Sequence, residues 1–138
     1  DAKAAVRYMR GHAKELDIDP NRIGVIGSSA GGHLALFLGT TDKLPSDASQ
    51  SRVSSAVAAV VSLAGPTSLS LPLPPNSEKI AERFIGKSRS ENPELFEKAS
   101  PVHYLTAATA PILMIHGSKD ELVPYNRRWR PRWWWQSS

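Results

Sequence analysis

The stretch Ile23-Gly24-Val25-Ile26-Gly27-Ser28-Ser29-Ala30-Gly31-Gly32-His33 sets the terms for the rest of the chain. A short apolar run rich in β-branched side chains reads as a buried strand. It breaks at Gly27 into a Gly-x-Ser-x-Gly turn that ends at Gly31, with Ser29 at its centre. Beyond the turn, Leu34-Ala35-Leu36-Phe37-Leu38 is apolar and helix-prone. Strand, sharp turn and helix bring two backbones close together, which calls for small neighbours and for dihedrals that a Cβ would forbid. The order predicts Ser29 on a strained bend at the carboxyl end of a strand, its hydroxyl exposed. The Ala30 N–H, opening the helix, would point where an oxyanion forms. In the plainer alternative, Ser28 and Ser29 only cap the helix.

The chain before this stretch reads as an amphipathic helix over Ala2 to Leu16. Val6, Met9, Ala13 and Leu16 share one face, with Arg7, Arg10, Lys14 and Glu15 on the other. Tyr8 and His12 are four apart and placed to stack. Turn chemistry at Asp17-Ile18-Asp19-Pro20-Asn21 stops the helix before Pro20. Downstream, Thr40 to Ser55 is polar and reads as a loop. Val57-Ala58-Ala59-Val60-Val61-Ser62-Leu63 is apolar on both faces, as in a parallel sheet covered by helices. Pro66, Pro72, Pro74 and Pro75 alternate irregularly with Leu69, Leu71 and Leu73, predicting a loop. Ser77 to Ile85 reads as a short helix with Ile80, Phe84 and Ile85 inward and Gly86 ending it. Asn92-Pro93-Glu94 is a helix start, with Asn92 as N-cap. The third strand is Pro111-Ile112-Leu113-Met114-Ile115-His116-Gly117, followed by the loop Ser118 to Tyr125. Three buried strands are expected, at about Arg22–Gly27, Val57–Leu63 and Ile112–His116.

Composition excludes little and redirects one inference. At 138 residues the chain is long enough for one domain with a real core. No apolar run approaches the roughly 20 residues that a membrane helix needs. With no cysteine, disulfides and thiolate metal sites drop out. A net charge of +4 invites a nucleic-acid reading. The excess, however, is Arg127, Arg128, Arg130 and Arg132, since the other 13 Lys and Arg balance 13 Asp and Glu. All four Trp, at 129, 133, 134 and 135, lie in the same segment, which has neither helical nor strand period. Stacking on bases or lying at a membrane interface is open to such a mixture. We read residues 126–138 instead as an aberrant Arg/Trp-rich tail, and expect neither a nucleic-acid nor a membrane partner.

Gly-x-Ser-x-Gly-Gly-His, led in by Asp19-Pro20-Asn21-Arg22-Ile23, resembles the α/β-hydrolase superfamily, and within it the acetyl-esterase and xylan- or feruloyl-esterase-like carboxylesterases. Ser100-Pro101-Val102-His103-Tyr104 and Ile115-His116-Gly117-Ser118-Lys119-Asp120-Glu121-Leu122-Val123-Pro124-Tyr125 resemble a second signature of the family. The resemblance implies a three-layer α/β domain, a parallel sheet with helices on both faces, over residues 1–125. It implies hydrolysis of small carboxylic esters through an acyl-enzyme, with no cofactor and no metal. Ser29 would attack, the Ala30 N–H would bind the oxyanion, and Asp120 would orient the base. The chain order, Ser29 before Asp120, fits Ser…Asp…His. The triad His should follow Asp120, yet no His occurs after His116. His116 and His103 are the substitutes best placed, while His12, Gly31, Gly32 and His33 read as structural. Nor does a His-Gly-Gly-type loop precede Asp1, so the domain is expected to be truncated at both ends. A sheet cut in this way exposes an edge, which predicts a homo-oligomer through that edge. Two rivals share the fold: a prolyl-oligopeptidase-type serine peptidase and a non-catalytic hydrolase-fold fragment.

Overall fold

The structure, a computed structural model, describes residues 1–41 and 52–124. Most of the polar loop expected over Thr40 to Ser55, and the Arg/Trp-rich tail, lie outside the described residues.

Three strands form one parallel sheet in the order β1-β2-β3: β1 Gly24–Ser28, β2 Ala59–Leu63 and β3 Ile112–Ile115. All three were expected from sequence to within a few residues. Register pairs Ser28 with Leu63 and Leu63 with Ile115, so the carboxyl ends of the strands stand level. Helix α2, Ala30–Thr40, follows β1 directly. It buries Ala35, Leu36 and Leu38 against Val60, Ile112 and Met114, together with Val6 of helix α1, Ala2–Gly11. A Cβ on Gly32 would sit 2.9 Å from the Ser62 hydroxyl and 3.0 Å from the Gly65 Cα, so α2 can lie this close to β2 only with glycine there.

This is the α/β architecture expected, and the described residues supply the helical layer of one face. Strand alternation sends Val60, Ser62, Ile112 and Met114 under that layer and Ile26, Leu113 and Ile115 to the other side. There Ile26 is 67 % exposed.

Helix α1 stops earlier than its periodicity suggests. It ends at Gly11 and the chain continues in turns to Asp17, whose φ of 53° is left-handed. Met9 and Leu16, expected on the buried face, are therefore exposed, whereas Val6 and Ala13 are buried. Arg10, assigned to the outer face, reaches the carbonyls of Pro20 at 2.9 Å, Ala56 at 2.6 Å and Ser54. It thereby fixes the segments entering β1 and β2. Tyr8 and His12 do stack, with ring centroids 4.1 Å apart.

Helix α3, Pro75–Ile85, and helix α4, Pro93–Lys98, lie between β2 and β3 in sequence. Their ends follow the chemistry read from sequence. Gly86 closes α3 in a left-handed conformation, and the Asn92 side chain accepts the Leu95 N–H at 3.2 Å. Together with Leu69, Ala81 and Phe96 form a second, smaller apolar cluster, with Ile85 packed against it. Ile80 and Phe84, expected inward, are 68 % and 66 % exposed. One helical turn spans 3.6 residues, so Ala81 and Ile85 share the cluster face while Ile80 and Phe84 fall on the next one.

Candidate functional site

The bend after β1 places Ser29 at φ 53°, ψ −119°, a conformation that costs a non-glycine residue about 1–3 kcal/mol. Two backbone bonds hold it there. The Ser29 N–H donates to the Leu63 carbonyl at 2.8 Å, and its carbonyl accepts the His33 N–H at 3.0 Å. A Cβ on Gly27 would stand 2.2 Å from the Gly31 carbonyl oxygen, which explains the first glycine of the motif. Gly31 meets nothing within 4 Å in the same test. Ser29 is exposed, and its side chain makes no capping hydrogen bond to α2. Helix capping therefore does not account for this serine. Ala30 opens α2, so its N–H has no acceptor within the helix and lies next to the Ser29 hydroxyl in sequence.

A second strained residue was not legible from sequence. Ala64, one residue past β2, has φ 49°, and its N–H donates to the Ile115 carbonyl at 2.9 Å. The bends after β1 and β2 are thus each tied to the neighbouring strand. Nothing at Ala64 signals this, because the usual marker of a left-handed bend is glycine.

Asp120 follows β3 on the same carboxyl edge of the sheet. Two strand spacings, about 10 Å, separate the ends of β1 and β3. Asp120 Oδ1 accepts the N–H groups of Leu122 at 2.9 Å and Val123 at 2.8 Å, which folds the loop around the carboxylate. Its Oδ2 is 3.4 Å from His116 Nε2. That nitrogen is also 2.7 Å from the Val123 carbonyl. Since a carbonyl only accepts, Nε2 carries the hydrogen. His116 is buried and its Nε2 works within the Asp120 loop.

His103 belongs to another cluster. Its Nε2 is 3.3 Å from the Ser70 hydroxyl and its Nδ1 is 3.6 Å from Glu97 Oε1. The Ser100 hydroxyl accepts the N–H groups of Leu69 and Ser70 and donates to the Phe96 carbonyl, so its capacity is used. The Ser70 hydroxyl is thereby left to pair with His103. Both ring nitrogens of His103 are engaged away from Ser29.

His33 is packed behind the bend. Its Nδ1 donates to the Pro66 carbonyl at 3.0 Å, while Nε2 is buried with no hydrogen-bond partner. Burial lowers its pKa below the ordinary value, opposed in part by the Pro66 bond. The ring packs against Phe37 and stands edge-on to Phe84, with centroids 5.0 and 6.4 Å away.

Ser29 and Ala30 open onto a cavity of about 300 Å³. Its walls include Leu34 of α2, Leu69 and Leu73 of the Pro-rich segment, and Ile80 and Phe84 of α3. Leu122, from the Asp120 loop, completes it. The Pro-rich segment, expected as a loop, thus lines the cavity. Among the described residues no group of three or more His, Asp or Glu could hold a metal ion. No helix among them is long and apolar enough to cross a membrane.

Several known proteins are similar to this chain in sequence and in fold. The probable carboxylic ester hydrolase LipM and the esterase LipC of Mycobacterium tuberculosis are 32 % and 33 % identical to this chain. Each alignment covers 90 % of the chain but only 30 % and 32 % of the relative, so the chain spans about a third of their length. A solved structure described as a truncated form of a carbohydrate esterase from gut microbiota superposes with a TM-score of 0.80 at 31 % identity. It covers 90 % of this chain and 50 % of that one. The pattern of the BD-FAE family matches residues 1–129, and the chain belongs to that family.

Proposed function

We propose that this chain carries the nucleophile of a serine carboxylesterase site acting on small carboxylic esters. Ser29 Oγ attacks the ester carbonyl carbon as its proton passes to a base. The carbonyl oxygen gains the charge and is met by the Ala30 N–H. Collapse of this tetrahedral species breaks the bond to the alcohol oxygen, which leaves with a proton, and the acyl group stays on Ser29. Water then attacks the acyl-enzyme and releases the carboxylic acid. Asp120 holds and stabilises the imidazole that serves as base. The four histidines of the chain do not fill that post in this reading, since their described bonds run to Tyr8, Pro66, the Ser70–Glu97 cluster and the Asp120 loop.

The single observation that carries the proposal is Ser29 itself: exposed, held at φ 53° and set at the rim of the cavity. Loss of the triad His alone costs about 10⁶ in turnover in a well-studied serine hydrolase, so the sharper test is a single covalent event. With imidazole added to take the Ser29 proton, a small fluorophosphonate should form one adduct, mapped by peptide mass to Ser29 and absent from Ser29→Ala. Added imidazole should raise the hydrolysis of a nitrophenyl acetate in the parent chain and not in Ser29→Ala. No adduct at Ser29, together with equal rates in the two proteins, refutes the proposal.

A further inference from the structure

Four large apolar side chains that a folded surface would ordinarily hide lie around one cavity. Ile80, Phe84 and Leu122 are more than 60 % exposed, and Leu34 is 48 % exposed. They come from three separate segments: α2, α3 and the loop after β3. Convergent apolar exposure of this kind marks a binding site rather than ordinary surface scatter. Among the described residues no charged side chain borders the cavity; its polar members are the Ser29 and Ser77 hydroxyls and the buried His33. Ser77 is occupied, because its hydroxyl donates to the Leu122 carbonyl at 2.5 Å. That bond also ties α3 to the Asp120 loop and closes the cavity on that side.

We infer that the cavity seats a hydrocarbon group of about five to eight carbons on the substrate, and that Ile80 and Phe84 are its specificity-determining residues. The inference rests on the proposed esterase reading of Ser29. Size carries it. A methylene fills about as much room as a water molecule, roughly 30 Å³, so an acetyl methyl would leave most of the 300 Å³ empty. Water in such an apolar space is poorly satisfied, and a chain that displaces it gains about fourfold in affinity per methylene. The group is either the acyl chain or the hydrocarbon part of the alcohol; Ser29 and Ala30 at the rim allow either direction.

Binding tests the inference without turnover. Sodium alkanoates from acetate to octanoate, and alkanols from ethanol to octanol, are titrated into the full chain and read by chemical-shift perturbation. Affinity should climb threefold to fourfold per methylene in at least one series up to about six carbons. The series that shows the climb identifies the source of the chain. Phe84→Ala should weaken the six-carbon ligand at least fivefold, and Ile80→Trp, which fills the cavity, should flatten the length dependence. Both sites are exposed, so folding should survive, and melting curves check it. Leu113→Ser, on the open face of the sheet, controls for non-specific apolar binding and should change nothing. Length-independent binding, or a length dependence that Phe84→Ala and Ile80→Trp leave intact, overturns the inference. Because the fluorophosphonate adduct uses a small reagent, failure here leaves the Ser29 result standing, and loss of that adduct leaves this one readable.

Discussion

The unit β1–α2–β2 and the segment from Leu69 to Ser100 meet at the same cavity but are built on different principles. In the first, backbone lies on backbone. Glycines at 27 and 32 let strand, bend and helix approach to distances that no Cβ would allow, and apolar side chains of α2 fill the space over β2 and β3. In the second, the apolar cluster is small and individual polar bonds hold the chain. Arg89 donates to both carboxylate oxygens of Glu78, at 2.8 and 2.7 Å, and to the Leu69 carbonyl, with its guanidinium 4.7 Å from the Phe96 ring centroid. The Ser100 hydroxyl ties Leu69 and Ser70 to α4. Ser29 therefore sits where the backbone has no alternative, and the cavity wall sits where a few replaceable contacts decide its shape. Such a division lets the wall vary without moving the Ser29 hydroxyl.

The sharpest way to break this contrast is Gly27→Ala. A methyl placed 2.2 Å from the Gly31 carbonyl cannot be relieved by a side-chain rotation, so the bend itself must open. A loss of about 3 kcal/mol or more is expected, with the Ser29 adduct disappearing alongside the cooperative melt. Retained labelling would show that the bend is softer than its packing implies. Next comes Ser100→Ala in the second region. It strips the Leu69 and Ser70 N–H groups of a buried acceptor and should cost about 2 kcal/mol by urea denaturation. Here hydrocarbon binding should weaken while Ser29 still labels. Equal loss of both would mean that the two regions are mechanically one.

The same contrast explains what could be read from sequence. The strands, the bend and α2 were legible because local signals agree with tertiary ones: β-branched runs, clustered glycines, then an apolar helix. Helix ends at Gly86 and Asn92 were legible for the same reason. The cavity wall was not. Periodicity assigned Ile80 and Phe84 to the core, because an apolar residue that lines a site looks like one that fills a core. Arg10 reads as a solvated charge, yet three carbonyls on distant segments claim it, and no short-range pattern encodes such a partner. Ser29 was expected at the carboxyl end of its strand and Asp120 in the loop after the third strand, and both do follow the carboxyl ends of their strands. The turn that Leu122 and Val123 make around Asp120 depends on loop geometry that single-sequence reading does not reach.

Glu78→Gln probes the polar staple more gently. Hydrogen bonds from Arg89 hold the Glu78 carboxyl below its ordinary pKa, outweighing burial, with the Leu73 N–H assisting. A lowered folded-state value means that the stabilisation is complete above about pH 4.5, the unfolded value, and fades as pH falls through the folded one. The substitution should cost about 1 kcal/mol at neutral pH, and that cost should shrink as pH falls below about 4.5, measured by urea midpoints. A cost independent of pH would mean that shape, not charge, is what Glu78 supplies.

The smallest effect is expected at His33, where the two regions touch. Its Nδ1–H holds the Pro66 carbonyl, the start of the cavity-side loop, against the helix that carries the bend. Burial keeps the ring neutral by lowering its pKa, so the unfolded chain takes up a proton before the folded one does. The stabilisation is therefore complete above about pH 6.5 and is lost as pH falls toward the folded-state value, by no more than about 1.4 kcal/mol per pH unit. Asparagine offers an N–H near the Nδ1 position without a titrating ring. His33→Asn should keep hydrocarbon binding within about twofold and reduce the slope of the stability profile below about pH 6.5. His33→Phe keeps the ring packing and gives up the Pro66 bond, so it should weaken binding while reducing the slope in the same way. If the phenylalanine variant binds as well as the parent, the ring is packing material and the Pro66 bond does not shape the cavity.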